Sequence, residues 1–192
     1  MTRRLVRVTL CCVAGILLVS SAIAQEKSKP EHYAATWAVV GGSAGGSTIQ
    51  LDIRINRFNT DQEIKNFADI LVEGGQDALR RALEKEDVGQ VSPTGRVGTQ
   101  IAVARKKKSG GQTRIRVIVA RNMSVAELRY SGRSVDYPYT ILELIVDENG
   151  KGAGTAIGAA KIRFDKKKQV YEIESLKHGT AYNKLLNVYR YN

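Results

Sequence analysis

Residues 49–55 alternate strictly, with Ile49, Leu51, Ile53 and Ile55 apolar and Gln50, Asp52 and Arg54 between them. A period of two belongs to a strand with one face in a core and the other in water. Comparable runs predict strands over 34–40, 97–103, 115–119, 139–146, 154–164, 170–176 and 184–189. Short polar connections such as DENGKG and DKKKQ separate several of them, which favours antiparallel neighbours. The strands at 97–103 and 115–119 read as a hairpin whose turn is RKKKSGGQ.

The period changes after residue 59. Thr60-Asp61-Gln62-Glu63 has the spacing of a capping box, in which the Thr hydroxyl accepts from an early helical N–H and the Glu carboxylate reaches back. Ile64, Phe67, Ala68 and Leu71 then follow a helical stripe, and Ala78, Leu79, Ala82 and Leu83 resume it. Gly74 and Gly75 intervene, each costing a helix about 1 kcal/mol relative to Ala, so two helices with a break are expected. Ser124 to Tyr130 reads as one further helical turn. The predicted fold is α+β but mainly β. It is an antiparallel sandwich or partly closed barrel of about eight strands, with a two-helix insertion after the second strand.

The start of the chain is different in kind. Arg3, Arg4 and Arg7 precede the apolar run Val8 to Val19, and Ala22-Ile23-Ala24 supplies small residues before Gln25. That is the layout of a secretory signal peptide over 1–24. The run is shorter than the roughly 20 residues a spanning helix needs, so no integral membrane segment is expected after cleavage. Export by the general secretory route to the periplasm or beyond follows, with a polar tail at 25–32 and one β-rich domain at 33–192.

Charge and cysteine content change with that boundary. The whole chain has 192 residues and a formal net charge of +11, and cleavage removes three arginines and no acid, leaving +8. Cys11 and Cys12 leave with the leader, so the exported domain holds no thiol and no disulfide. Thiol chemistry is excluded, and zinc or copper chemistry is left with His32 and His178 alone. Asp147, Glu148 and Asn149 lack the spaced ligands of a calcium loop and read as a turn. No metal and no cofactor is expected.

Gly41-Gly42-Ser43-Ala44-Gly45 matches the G-x-S-x-G nucleophile elbow, and Asp136 and His178 follow in hydrolase order. An elbow needs strand, turn and then helix, whereas Ser43 precedes the alternating strand, so a flexible hairpin loop is the simpler reading. Two basic runs fall at predicted hairpin tips: Arg105, Lys106, Lys107 and Lys108, and Lys166, Lys167 and Lys168. Such tips can attract a polyanion, or simply keep the sheet ends soluble. Tyr182, Tyr189 and Tyr191 crowd the C-terminus, where rings can line a pocket or stack on a ligand.

The segments GQDALRRALEK (75–85), VGTQIAVARKKK (97–108), RSVDYPYTILELIVDENGKGAGT (133–155) and AAKIRFDKKKQVYEIES (159–175) resemble an uncharacterised family of small exported bacterial proteins with no known activity. The resemblance implies a shared fold and export, and carries no site. The sequence therefore favours a non-enzymatic exported binding protein. Its partner would be a small apolar or amphipathic ligand, or a polyanionic envelope component, rather than intracellular nucleic acid. A serine hydrolase built on Ser43 is the alternative.

Overall fold

The alternating segment is the second strand of a long antiparallel sheet. A computed structural model describes residues 29–40, 46–121, 136–175 and 182–191. β1 (Glu31–Val40) and β2 (Ser47–Ile55) pair from Glu31 opposite Ile55 to Val39 opposite Ser47. Leu51, Ile53 and Ile55 face inward beside Tyr33, Ala35 and Trp37, as the period of two requires. Glu31 and His32, which read as the end of a polar tail, belong to β1. The leader at 1–24 lies outside the described residues.

The helical insertion follows β2 as expected, in two helical segments separated by a kink. α1 (Asp61–Leu83) runs through the Gly74-Gly75 pair, and only Gly75 leaves helical geometry, with φ 70 and ψ −169. That backbone interrupts the helix at the expected position, and the apolar stripe resumes beyond it on the same surface. Ile64, Phe67, Leu71, Leu79 and Leu83 pack with Val103, Tyr139, Ile141 and Ala160 on the outside of the sheet. The capping box forms: Glu63 N–H donates to Thr60 Oγ1 at 3.2 Å and Thr60 N–H donates to Glu63 Oε2 at 2.7 Å. Ser124 to Tyr130 lies outside the described residues.

The remaining strands are β3 (Gly89–Pro93), β4 (Thr99–Ile101), β5 (Val103–Ser109), β6 (Gln112–Val119), β7 (Tyr139–Val146), β8 (Lys151–Asp165), β9 (Val170–Ser175) and β10 (Tyr182–Tyr191). The sheet order is β4-β3-β2-β1-β10-β8-β7-β6-β5, with β9 paired to the far half of β8. Among the described residues there are ten strands, against about eight expected. β3 carries too few apolar positions to stand out, and the run at 97–103 divides at Ala102.

That division nearly closes the sheet into a barrel. Ile101 accepts at its carbonyl from Val88 N–H, on the β3 side, while the next residue, Ala102, donates its N–H to Ile118 of β6. One stretch of chain so changes partners from β3 to β6. The bend also breaks the period: Ile101 faces the barrel interior, Val103 faces the helix, and Val97 is 94% exposed, so these three do not share a face. Asn59 completes the seam, its N–H donating to Ala104 O and its side-chain Oδ1 accepting from Ala104 N–H, both at 2.8 Å.

Candidate functional site

The first basic run is not a hairpin tip. β5 and β6 stay paired out to Ser109 opposite Gln112, and the turn is Gly110-Gly111 alone, with φ 57 and 76. Two positive φ angles suit glycine in the tight turns that match strand twist. Arg105, Lys106, Lys107 and Lys108 are therefore strand residues, and the pleat sends alternate ones to opposite faces.

Lys106 lies on the inward face. Its ammonium pairs with Glu31 and sits 5.4 Å from the centre of the Phe58 ring, while Tyr33 Oη donates to the other Glu31 oxygen at 2.6 Å. Burial first, and then the Glu31 carboxylate, push the Tyr33 phenol well above its ordinary pKa. Lys108 has the same facing and lines a cavity of about 510 Å³ at this end of the barrel, together with Tyr33, Gln112, Thr113, Glu148 and Arg190. That lining is mainly polar. Deeper in the barrel, Trp37, Leu51, Ile53, Ile115, Leu142, Leu144 and Leu185 occupy the interior, each under 2% exposed.

Arg105 and Lys107 point outward, and the register places each opposite another cation. Arg105 faces Arg116 and Lys107 faces Arg114 across the β5–β6 ladder. Directly opposed like charges cost a sheet about 0.2–1 kcal/mol per pair. Two acids temper the group. Arg116 Nε lies 2.6 Å from Glu143 Oε2 on β7, with Arg114 Nε at 3.9 Å from the same oxygen, and Arg105 pairs with Asp61 at the start of α1. Lys107 makes no ion pair among the described residues.

The β8–β9 hairpin shows the opposite arrangement. Lys161 faces Glu174 and Arg163 faces Glu172, and Arg163 Nη1 bonds Glu174 Oε1 at 2.7 Å. At its turn, Asp165 Oδ1 accepts from the N–H groups of Lys167 and Lys168, at 2.8 and 3.1 Å, which holds that carboxyl below the ordinary range. Lys168 Nζ reaches Glu172 Oε1 at 3.0 Å and Asp165 Oδ2 at 3.3 Å. The second basic run thus sits at a tip as expected, and Lys168 is matched there by acids. Lys166 and Lys167 complete the turn.

Ser43 and His178 lie outside the described residues. Asp136 is exposed, and its backbone carbonyl accepts from Gln76 Nε2 at 3.3 Å. Residues 41–45 also lie outside the described residues, and the elements on either side of them are two strands that pair antiparallel, whereas an elbow needs a helix after the serine. Among the described residues no three His, Cys, Asp or Glu side chains come together in the way a metal site needs, and no helix is long and apolar enough to cross a membrane.

Arg114 and Arg116, cations that the sequence already places on or beside strands, complete the basic face. The signal that could have set them opposite Arg105 and Lys107 is the Gly110-Gly111 pair, since a two-residue turn sets the register of everything behind it. No protein-family model, curated protein or solved structure matches the chain.

Proposed function

We propose that the protein is a non-enzymatic binding domain, exported from the cell, that docks on an anionic polymer of the envelope through the solvent face of β5–β6. The observation that carries this reading is the opposition of Arg105 to Arg116 and of Lys107 to Arg114. Four cations on adjacent strands repel each other in the free protein, and an incoming row of anions relieves that repulsion as it releases its own counterions. The complementary pairs of β8–β9 supply the contrast, because a hairpin that only has to stay soluble can alternate its charges. Side chains already occupy the barrel interior, so an apolar carrier role has less to support it than the outer face.

The test is retention of the mature chain on immobilised heparin across a salt gradient. Lys107→Gln with Arg114→Gln should elute at clearly lower salt, with a log–log salt slope shallower by roughly two ions. Lys166→Gln with Lys167→Gln removes the same formal charge and should elute close to wild type. Equal losses in the two double variants would reduce the effect to net charge and overturn the proposal, as would absence of retention by the wild type.

A further inference from the structure

A separate surface lies around the barrel on the outer faces of β2, β1 and β10. β10 is irregular at its centre: its pairing with β8 shifts between Leu185 and Val188, its pairing with β1 shifts between Leu186 and Tyr189, and Asn187 has φ 50. Leu185 and Val188 both face the core across this bulge. A regular strand with Leu185 inside would also turn Tyr189 and Tyr191 inward. The extra residue re-aims both rings to the solvent side, the kind of redirection bulges bring about.

The register then builds three rows. Arg54, His32 and Tyr191 form one, Asp52, Ala34 and Tyr189 the next, and Gln50, Thr36 and Leu186 the third. Lys151 of β8 lies beside Tyr189. The rings of Tyr189 and Tyr191 are 6.0 Å apart, and His32 stands edge-on to Tyr191 at 5.7 Å. Ala34 and Thr36 in the central strand are small, so the rings stand clear of their neighbours: Tyr189 is 48% exposed, Leu186 40% and Tyr191 37%.

The groups beside the rings discriminate between occupants. Asp52 sits in the middle row, accepts from Thr94 Oγ1 at 2.9 Å and approaches the Tyr191 hydroxyl. A phosphate backbone or anionic headgroup laid across the rings would meet that carboxylate between Arg54 and Lys151, and an apolar protein partner would have to desolvate all three charges. A hydroxyl-rich chain avoids both penalties. Its C–H faces can lie on the tyrosine rings, while its hydroxyls donate to Asp52 and accept from Arg54 and Gln50.

We infer that the outer face of β2–β1–β10 is a stacking platform for an uncharged polysaccharide, with Tyr189 and Tyr191 as the rings and Gln50, Asp52 and Arg54 as the groups that read hydroxyls. The site shares no residue with the basic face, and stacking on it persists at salt concentrations that release heparin.

Affinity electrophoresis of the mature chain at high salt through gels containing amylose, dextran or galactomannan tests this. At least one polysaccharide should retard the wild type. Tyr189→Ala and Tyr191→Ala should each weaken retardation about tenfold or more, and Tyr189→Phe should keep most of it. Both rings are solvent-facing, and unchanged Trp37 fluorescence would show that the variants are folded. Absence of retardation by all three polymers, retardation indifferent to both alanine variants, or binding only to oligothymidylate in low salt would each overturn the inference.

Discussion

Arg105 on β5 stands directly opposite Arg116 on β6, on the solvent face of a two-stranded ribbon whose turn is only two glycines long. Two residue pairs along, on the same face, Lys107 meets Arg114. The arrangement holds an electrostatic penalty in the free protein, and that penalty can be removed by substitution as well as by a ligand. Lys107→Glu should convert the second pair into an attractive one and raise stability by about 0.2–1 kcal/mol at low ionic strength, with the gain shrinking as salt is added. The same variant should bind heparin less well. Urea titrations at two salt concentrations check the first part, and a destabilised Lys107→Glu would contradict the register.

Gly75 offers a test of the bent helix. In a straight helix Gly75→Ala would gain about 1 kcal/mol of propensity. At φ 70 and ψ −169 the backbone is in a region almost restricted to glycine, so the substitution should instead cost about 1–3 kcal/mol. Stabilisation on thermal or chemical unfolding would show that the kink is absent.

The capping box makes the start of α1 acid-sensitive. Partial burial works against the Glu63 carboxylate, but bonds from Thr60 N–H and from Arg57 outweigh it and hold the carboxyl below its ordinary value of 4.5. Because the folded value is the lower one, the stabilisation is complete above about pH 4.5 and is lost as pH falls through the folded value. Glu63→Gln should flatten the acid limb of the stability profile, and Thr60→Ala should cost about 1 kcal/mol at neutral pH.

Trp37 is the sole tryptophan and is buried in the barrel, its indole N–H donating to Asn183 Oδ1 at 3.1 Å. Its emission should be blue-shifted and shielded from acrylamide in the native protein, and should move red in one transition on unfolding. Trp37→Ala should cost about 3–5 kcal/mol. Ready quenching of the native emission would contradict a packed interior at this position.

Gly152 and Gly154 mark where β8 runs against β7. A Cβ on either would collide with a β7 carbonyl, that of Ile145 or of Glu143. Backbone cannot yield as a flexible side chain can, so Gly154→Ala should cost about 1–3 kcal/mol or more, read as a lowered urea midpoint.

Local signals determined the mainly β character, the antiparallel pairing, the insertion after the second strand and the capped start of α1. Each depends on residues close in sequence: the alternation over 49–55, the Thr60 to Glu63 spacing, the stripe from Ile64 to Leu83. Tertiary structure decided what depends on partners distant in the chain. Ala102 switches strands because β3 and β6 are both within reach. The two helical segments either side of Gly75 pack on one apolar surface, made by residues of β5, β7 and β8 that lie far along the chain. The pairing of Arg105 with Arg116 is set by the register behind Gly110-Gly111, and the outward turn of Tyr189 and Tyr191 by a bulge against β1 and β8. A one-residue change of register sends a side chain to the other face, so the charge runs and the tyrosines were visible in the sequence while the surfaces they form were not.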